Sequence, residues 1–209
     1  KYMIIDGQQR MTTLTLLLLA LRDYAIKNPN DTTINARRID NMLLKNEYEN
    51  GDERYKLLLT ETDRDILISL VEKKPIAEGT RSRLIENYNF FDKKLADKEI
   101  QPAEVYESIG KLQIVNITLD RTVDDAQAIF ESLNSTGKEL LESDLIRNYV
   151  LMGLAPSEQT YVYEHLWRPM EQLFIYETQG SVMDAFFRHY LTMKFSRIPK
   201  QGRVYEEFK

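Results

Sequence analysis

Asp6-Gly7-Gln8-Gln9-Arg10 puts a carboxylate, a flexible backbone position, two amides and a guanidinium within five residues, and the hydroxyls of Thr12 and Thr13 follow at once. That set suits a phosphate. Arg10 carries a permanent charge on a planar fork that matches phosphate oxygens. A helix opening near Gln8 leaves its first N–H groups without partners inside the helix and partially positive. Such an end binds anions. Asp6 stands where it can hold a metal, orient a water or fix Arg10. The plainer alternative is that Asp6 caps the helix and Arg10 pairs with a surface acid.

The flanking elements decide how firmly these groups are held. Tyr2-Met3-Ile4-Ile5 reads as a short buried strand, and Gly7 lets the chain turn. Residues 14–21 are nearly all apolar, which predicts a helix buried on most sides. Residues 32–46 read as helical, with Ile34, Ile39, Met42 and Leu43 as apolar positions. Residues 55–59 are β-prone. A helix is expected over 62–71 with Thr62 as N-cap, and an amphipathic one over 81–95 carried by Leu84, Ile85, Tyr88, Phe91 and Leu95. Residues 111–120 predict a second strand. Its Leu112, Ile114, Val115, Ile117 and Leu119 leave neither face polar, so it is expected to be buried on both sides.

Ala126, Ile129, Phe130 and Leu133 then form a helical stripe, followed by a small polar loop containing Asn134 and Gly137. Both tolerate the left-handed backbone that stops a helix. The loop can present donors to a ligand, or it is a plain corner with Asn134 as C-cap. A helix from about Leu141 carries Leu141, Leu145, Tyr149 and Met152 on one stripe, with Asp144, Arg147 and Asn148 on its more polar side. From Gly153 onward the chain reads as helical. Pro169 should kink or end a helix, and Tyr161, Leu166, Trp167, Met170, Leu173 and Phe174 are expected in the core. Arg188, Lys194, Arg197, Lys200 and Arg203, with Tyr190, Phe195 and Tyr205 interleaved, are the best local candidate for touching DNA phosphates. A solvated basic face is the plainer reading.

Composition bounds the class. The 209 residues, 43% hydrophobic and 29% charged, are those of an ordinary soluble protein with a real core. The absence of cysteine excludes disulfides and thiolate metal sites and points to a cytoplasmic setting. No apolar run reaches membrane-spanning length, and no signal peptide is visible. A net charge of −5 argues against a wholly nucleic-acid-coating surface.

The turn Asp6-Gly7-Gln8-Gln9-Arg10 followed by Met11-Thr12-Thr13-Leu14, together with Phe130, Leu133-Asn134, Gly137, Leu140 and Asp144-Leu145-Ile146-Arg147-Asn148, resembles the signature of one family. This is the N-terminal domain of GmrSD-type modification-dependent restriction systems, a ParB/sulfiredoxin-like fold. Leu141 departs from the pattern, since the family often has Ser or Thr there. The resemblance implies an α+β, helix-dominated architecture: a truncated ParB-like core with a small sheet over residues 1–152, and a helical extension over 153–209. It also implies a nucleotide-binding and nucleotide-hydrolysing control domain of type IV-like anti-phage restriction. By position Asp6 and Arg10 are the catalytic candidates. Gly7, Gln8, Gln9, Arg10, Thr12, Thr13, Asn134 and Gly137 are the nucleotide-site candidates. The implied cofactors are an NTP and Mg²⁺, with Asp6 as the metal candidate. The implied partners are an HNH-type nuclease domain or subunit and DNA, and a homo-oligomer is compatible with the sequence. The alternative is a non-catalytic module that binds phosphate or DNA and assembles with a nuclease. His165 and His189 lack the company an HNH site needs, so no nuclease activity is expected in this chain. Residue 1 is Lys, and the strands and Gln-Arg segment that the family places upstream have no counterpart, so a fragment of a longer protein is expected.

Overall fold

Residues 8–27 contain no glycine or proline and a run of strong helix formers, and they fold as one helix, α1 (Gln8–Lys27). Leu16, Leu19, Ala20 and Leu21 are at most 1% exposed, as residues 14–21 predict. Each buried leucine contributes on the order of 1.5–3 kcal/mol. The helix stops where Pro29 approaches, and Asn28 closes it by donating its N–H and its side-chain amide to the Tyr24 carbonyl, both at 2.9 Å. The computed structural model describes residue 4 and residues 6–59, 61–119, 129, 140–174 and 181–209.

The chain divides into two compact units, Lys1–Asn116 and Ile117–Lys209. In the first, α1 is the central element. It packs most extensively on α4 (Arg83–Ala96), and also on α2 (Ala36–Arg38), on the π-helical turns that continue α2 (Ile39–Leu44), and on α5 (Pro102–Gly110). α3 (Glu61–Glu72) packs on α4. Ile34, Ile39, Leu44, Leu67, Val71, Leu84 and Leu95 complete the core. The helix expected over 32–46 is therefore short and changes pitch. Its Met42 and Leu43 face out, while Ile34, Ile39 and Leu44 are buried. α3 opens at Glu61, so Thr62 lies inside it and does not precede it. α4 is capped by Ser82, whose hydroxyl accepts from the Leu84 N–H at 3.1 Å.

The expected small sheet is a correction: the described residues contain no strand. Tyr55 makes one antiparallel bridge to Lys45, and 56–59 do not extend it. Residues 112–119 form no ladder. Leu112, Ile114, Val115 and Ile117 are 53%, 72%, 84% and 59% exposed, not buried on both sides. β-propensity measures fit to a neighbouring strand, and no described strand lies beside this one. Of Tyr2-Met3-Ile4-Ile5 only Ile4 is described, and it is in no strand. The helical stripe through Ala126, Phe130 and Leu133 lies outside the described residues.

The second unit contains α6 (Glu142–Met152), α7 (Pro156–Val162), a π-helical stretch (Tyr163–Trp167), α8 (Arg168–Phe174), α9 (Ser181–Phe195) and α10 (Val204–Phe208). α6 buries Ser143 and Ile146 against α9 and α10, with Val150 on the same side. Of the expected stripe, Leu145 packs against this core and Met152 is half-buried, while Leu141 and Tyr149 are 39% and 37% exposed. The helix also runs on past Pro169. The turn before that proline is π-helical, a wider pitch that accommodates a residue without an N–H. Trp167 is buried and stacks on Phe187 with ring centroids 5.7 Å apart, but Tyr161, Leu166 and Leu173, expected in the core, are exposed. No described helix is long and apolar enough to cross a membrane.

Candidate functional site

Gly7 precedes α1 in the left-handed conformation, φ 86°, which a side chain would strain. This turn brings Asp6 and Arg10 together. Arg10 Nη2 donates to Asp6 Oδ2 at 2.6 Å, with Arg10 75% and Asp6 32% exposed at the side chain. Fixing Arg10 was one of the roles left open for Asp6. No side chain caps the helix, and its first turn holds no acid, so its positive end is left to whatever lies outside it. Gln8 folds back and donates Nε2 to the Ile4 carbonyl at 2.6 Å, and Gln9 is exposed. The Thr12 and Thr13 hydroxyls donate to the Gln8 and Gln9 carbonyls, each at 2.8 Å. A ligand reaching them meets lone pairs unless the hydroxyls rotate. Asn134 and Gly137 lie outside the described residues.

A divalent ion would find one carboxylate here. No group of three or more His, Asp or Glu able to hold a metal occurs among the described residues. Asp6, with one oxygen on Arg10, fits only an ion that takes most of its ligands from phosphate and water, which is how Mg²⁺ is commonly held.

The basic stretch near the C-terminus is largely engaged with its own unit. Arg188 donates Nε to the Pro199 carbonyl at 2.9 Å, Arg197 pairs with Glu207, and Arg203 Nε lies 3.5 Å from Glu206. Lys194 sits over the rings of Tyr190 and Phe195. Lys200 is exposed, with no ion-pair partner among the described residues.

Sequence reasoning missed a second charged centre, fifteen residues into α1. Arg22 is 1% exposed. It pairs with Asp23 at 3.0 Å and Asp40 at 3.0 Å, and it donates to the carbonyls of Val71 at 2.7 Å and Leu70 at 3.1 Å, which end α3. Burial works against its charge, but the bonds to Asp23 and Asp40 outweigh that and raise its pKa. Asp23 also accepts from Lys73 at 2.9 Å and Tyr88 at 2.8 Å. Burial pushes its carboxyl up, and the bonds from Arg22, Lys73 and Tyr88 pull it further down, below the usual range. One signal was readable: Arg22 falls three and four residues after Leu19 and Leu18, on the apolar face.

In the second unit, the N-cap that Leu141 fails to supply comes from α9. Asp184 accepts from the backbone N–H groups of Ser143 at 2.8 Å and Glu142 at 3.3 Å. Nearby, Arg147 bridges Asp144 at 3.1 Å and Glu171 at 3.0 Å. Burial raises the Asp144 pKa, Arg147 opposes this, and Glu171 and Asp184 add to it.

The family described as GmrSD restriction endonuclease, N-terminal domain, matches residues 1–151, and the chain belongs to that family. No curated protein and no solved structure matches it.

Proposed function

We propose that the turn 6–10 seats the polyphosphate of a nucleotide, and that this chain is the nucleotide-responsive control module of a restriction system whose cutting is done by an HNH-type nuclease on DNA. The observation that carries this is the exposed Arg10–Asp6 pair at an uncapped, acid-free helix start. An exposed ion pair is worth about 0–1 kcal/mol, so a phosphate can replace the carboxylate on Arg10 at little cost. The guanidinium then bonds two phosphate oxygens, and the α1 N–H groups add partial positive charge. Asp6, once released, accepts a hydrogen bond from a water and aims its oxygen at the terminal phosphorus; as that P–O bond forms, the P–O bond to the rest of the nucleotide breaks, and the water's proton leaves with the released inorganic phosphate. Arg10 stabilises the charge that develops on the transferred group. Bound Mg²⁺, held by Asp6 and phosphate, would supply charge neutralisation along the polyphosphate.

The test compares Asp6→Asn with Arg10→Ala in nucleotide titrations and phosphate release. Arg10→Ala should weaken binding more than tenfold. Asp6→Asn should keep or tighten binding while slowing turnover about 10²-fold or more. Wild-type turnover in both variants would remove this site assignment.

A second reading has its own support: Asp6 is engaged by Arg10, and no other carboxylate joins it in a metal-binding cluster among the described residues. A module that binds phosphate without chemistry would gain affinity in Asp6→Asn. It would also show nucleotide-dependent thermal stabilisation of the wild type with no product.

A further inference from the structure

At the other end of α1, about 20 Å along the helix from Gln8, the charged centre around Arg22 opens into a hollow of about 390 Å³. Arg22, Arg37, Lys45 and Lys73 line it with Asp40 and Glu72, and Ile26, Ala36 and Val71 give it apolar walls. Four cations against two carboxylates make it positive in a chain of net charge −5. The flanking Asp23 and Arg54 cancel one another.

The carboxylates are already neutralised. Asp40 holds Arg22 and Lys45, and Glu72 holds Lys45 and Arg54. The cations are not used up. An ammonium has three donors and a guanidinium five. Lys73 gives one to Asp23, and Lys45 gives one each to Asp40 and Glu72. Arg37 is exposed and has no ion-pair partner among the described residues. Lys73 carries one further mark. It follows α3 at φ 55°, in the left-handed region where glycine is the ordinary choice and any other residue costs about 1–2 kcal/mol. The Lys73 ammonium is held at the hollow's lining by Asp23, at 2.9 Å.

We propose that this hollow is a second anion site, which takes a small organic phosphate: the phosphate on Arg37, Lys73 and the spare donor of Lys45, the organic body against Ile26, Ala36 and Val71. The volume is at the small end of ligand pockets, the size of one nucleotide or a comparable phosphate ester. The site is independent of the turn 6–10 and stands if that reading fails.

The test titrates the 209-residue chain with AMP, inorganic phosphate and adenosine. AMP should bind, phosphate more weakly, adenosine least. Arg37→Ala and Lys73→Gly should each weaken AMP at least tenfold, and should do so equally in an Arg10→Ala background, where the turn 6–10 contributes no binding. Lys73→Gly relieves the backbone but gives up the half-exposed pair with Asp23, two effects of similar size, so its melting temperature should stay close to that of the wild type. A loss of binding there therefore reports the ammonium and not unfolding. With Arg10→Ala as the background, unchanged AMP affinity on adding Arg37→Ala and Lys73→Gly, or no binding at millimolar AMP, would overturn the site. Equal affinity for phosphate and AMP would overturn its assignment to an organic phosphate.

Discussion

One helix carries two arginine–aspartate pairs, and they do opposite things. Arg10–Asp6 is shorter, 2.6 Å against 3.0 Å for Arg22–Asp23, yet it is the weaker link. Water surrounds Arg10 and screens the attraction, whereas Arg22 is 1% exposed and also bonds Asp40 and two carbonyls that end α3. Bond length does not rank the two pairs; burial and the count of partners do. The buried pair fixes α1 to α3 and to the segment after α2. The exposed pair joins two side chains only four residues apart.

The comparison breaks most visibly at Arg22. Arg22→Ala leaves Asp23 and Asp40 facing a void and takes the guanidinium donors from the Val71 and Leu70 carbonyls. It should cost about 3–5 kcal/mol in denaturant unfolding. Acidification is the next lever. The Asp23 pKa is lowered on folding, so its stabilisation is complete above the unfolded value of about 3.9 and drains away as pH falls below that. Arg10→Ala should cost less than about 1 kcal/mol in the same assay while removing nucleotide affinity. A cost near that of Arg22→Ala would erase the distinction between the pairs. The smallest effect belongs to the second unit. The Asp144 pKa is raised on folding, so its charge is a penalty above the folded value that vanishes below the unfolded one. Asp144→Asn should change stability at pH 7 by within about 0.5 kcal/mol. It should also flatten a gentle rise in stability as pH falls from 7 towards 4, read from melting temperatures against pH.

What the sequence disclosed was local. The limits and burial of α1 follow from its own residues and from Pro29, and the Asp6–Arg10 contact joins residues four apart, one just before the helix and one in its first turn. What it concealed was remote in sequence. The partners of Arg22 sit at 40, 70 and 71, and the cap on α6 comes from Asp184, some forty residues away. The strand expected over 111–120 failed for the same reason, since an apolar run with β-prone residues does not specify the neighbour that must cover it. α6 shows the milder form: of the expected stripe Leu145 packs inward, but the centre of its buried side is Ile146, facing α9 and α10.

Residues 113–119, Gln-Ile-Val-Asn-Ile-Thr-Leu, hold no charge, proline or glycine, and Ile114 and Val115 stand almost fully in water. Such heptapeptides are the raw material of steric zippers. Two molecules meeting there can stack identical backbones and interlock identical side chains, a bargain open to every later arrival. A segment of this kind makes concentration, more than heat, the expected trigger of aggregation for this chain.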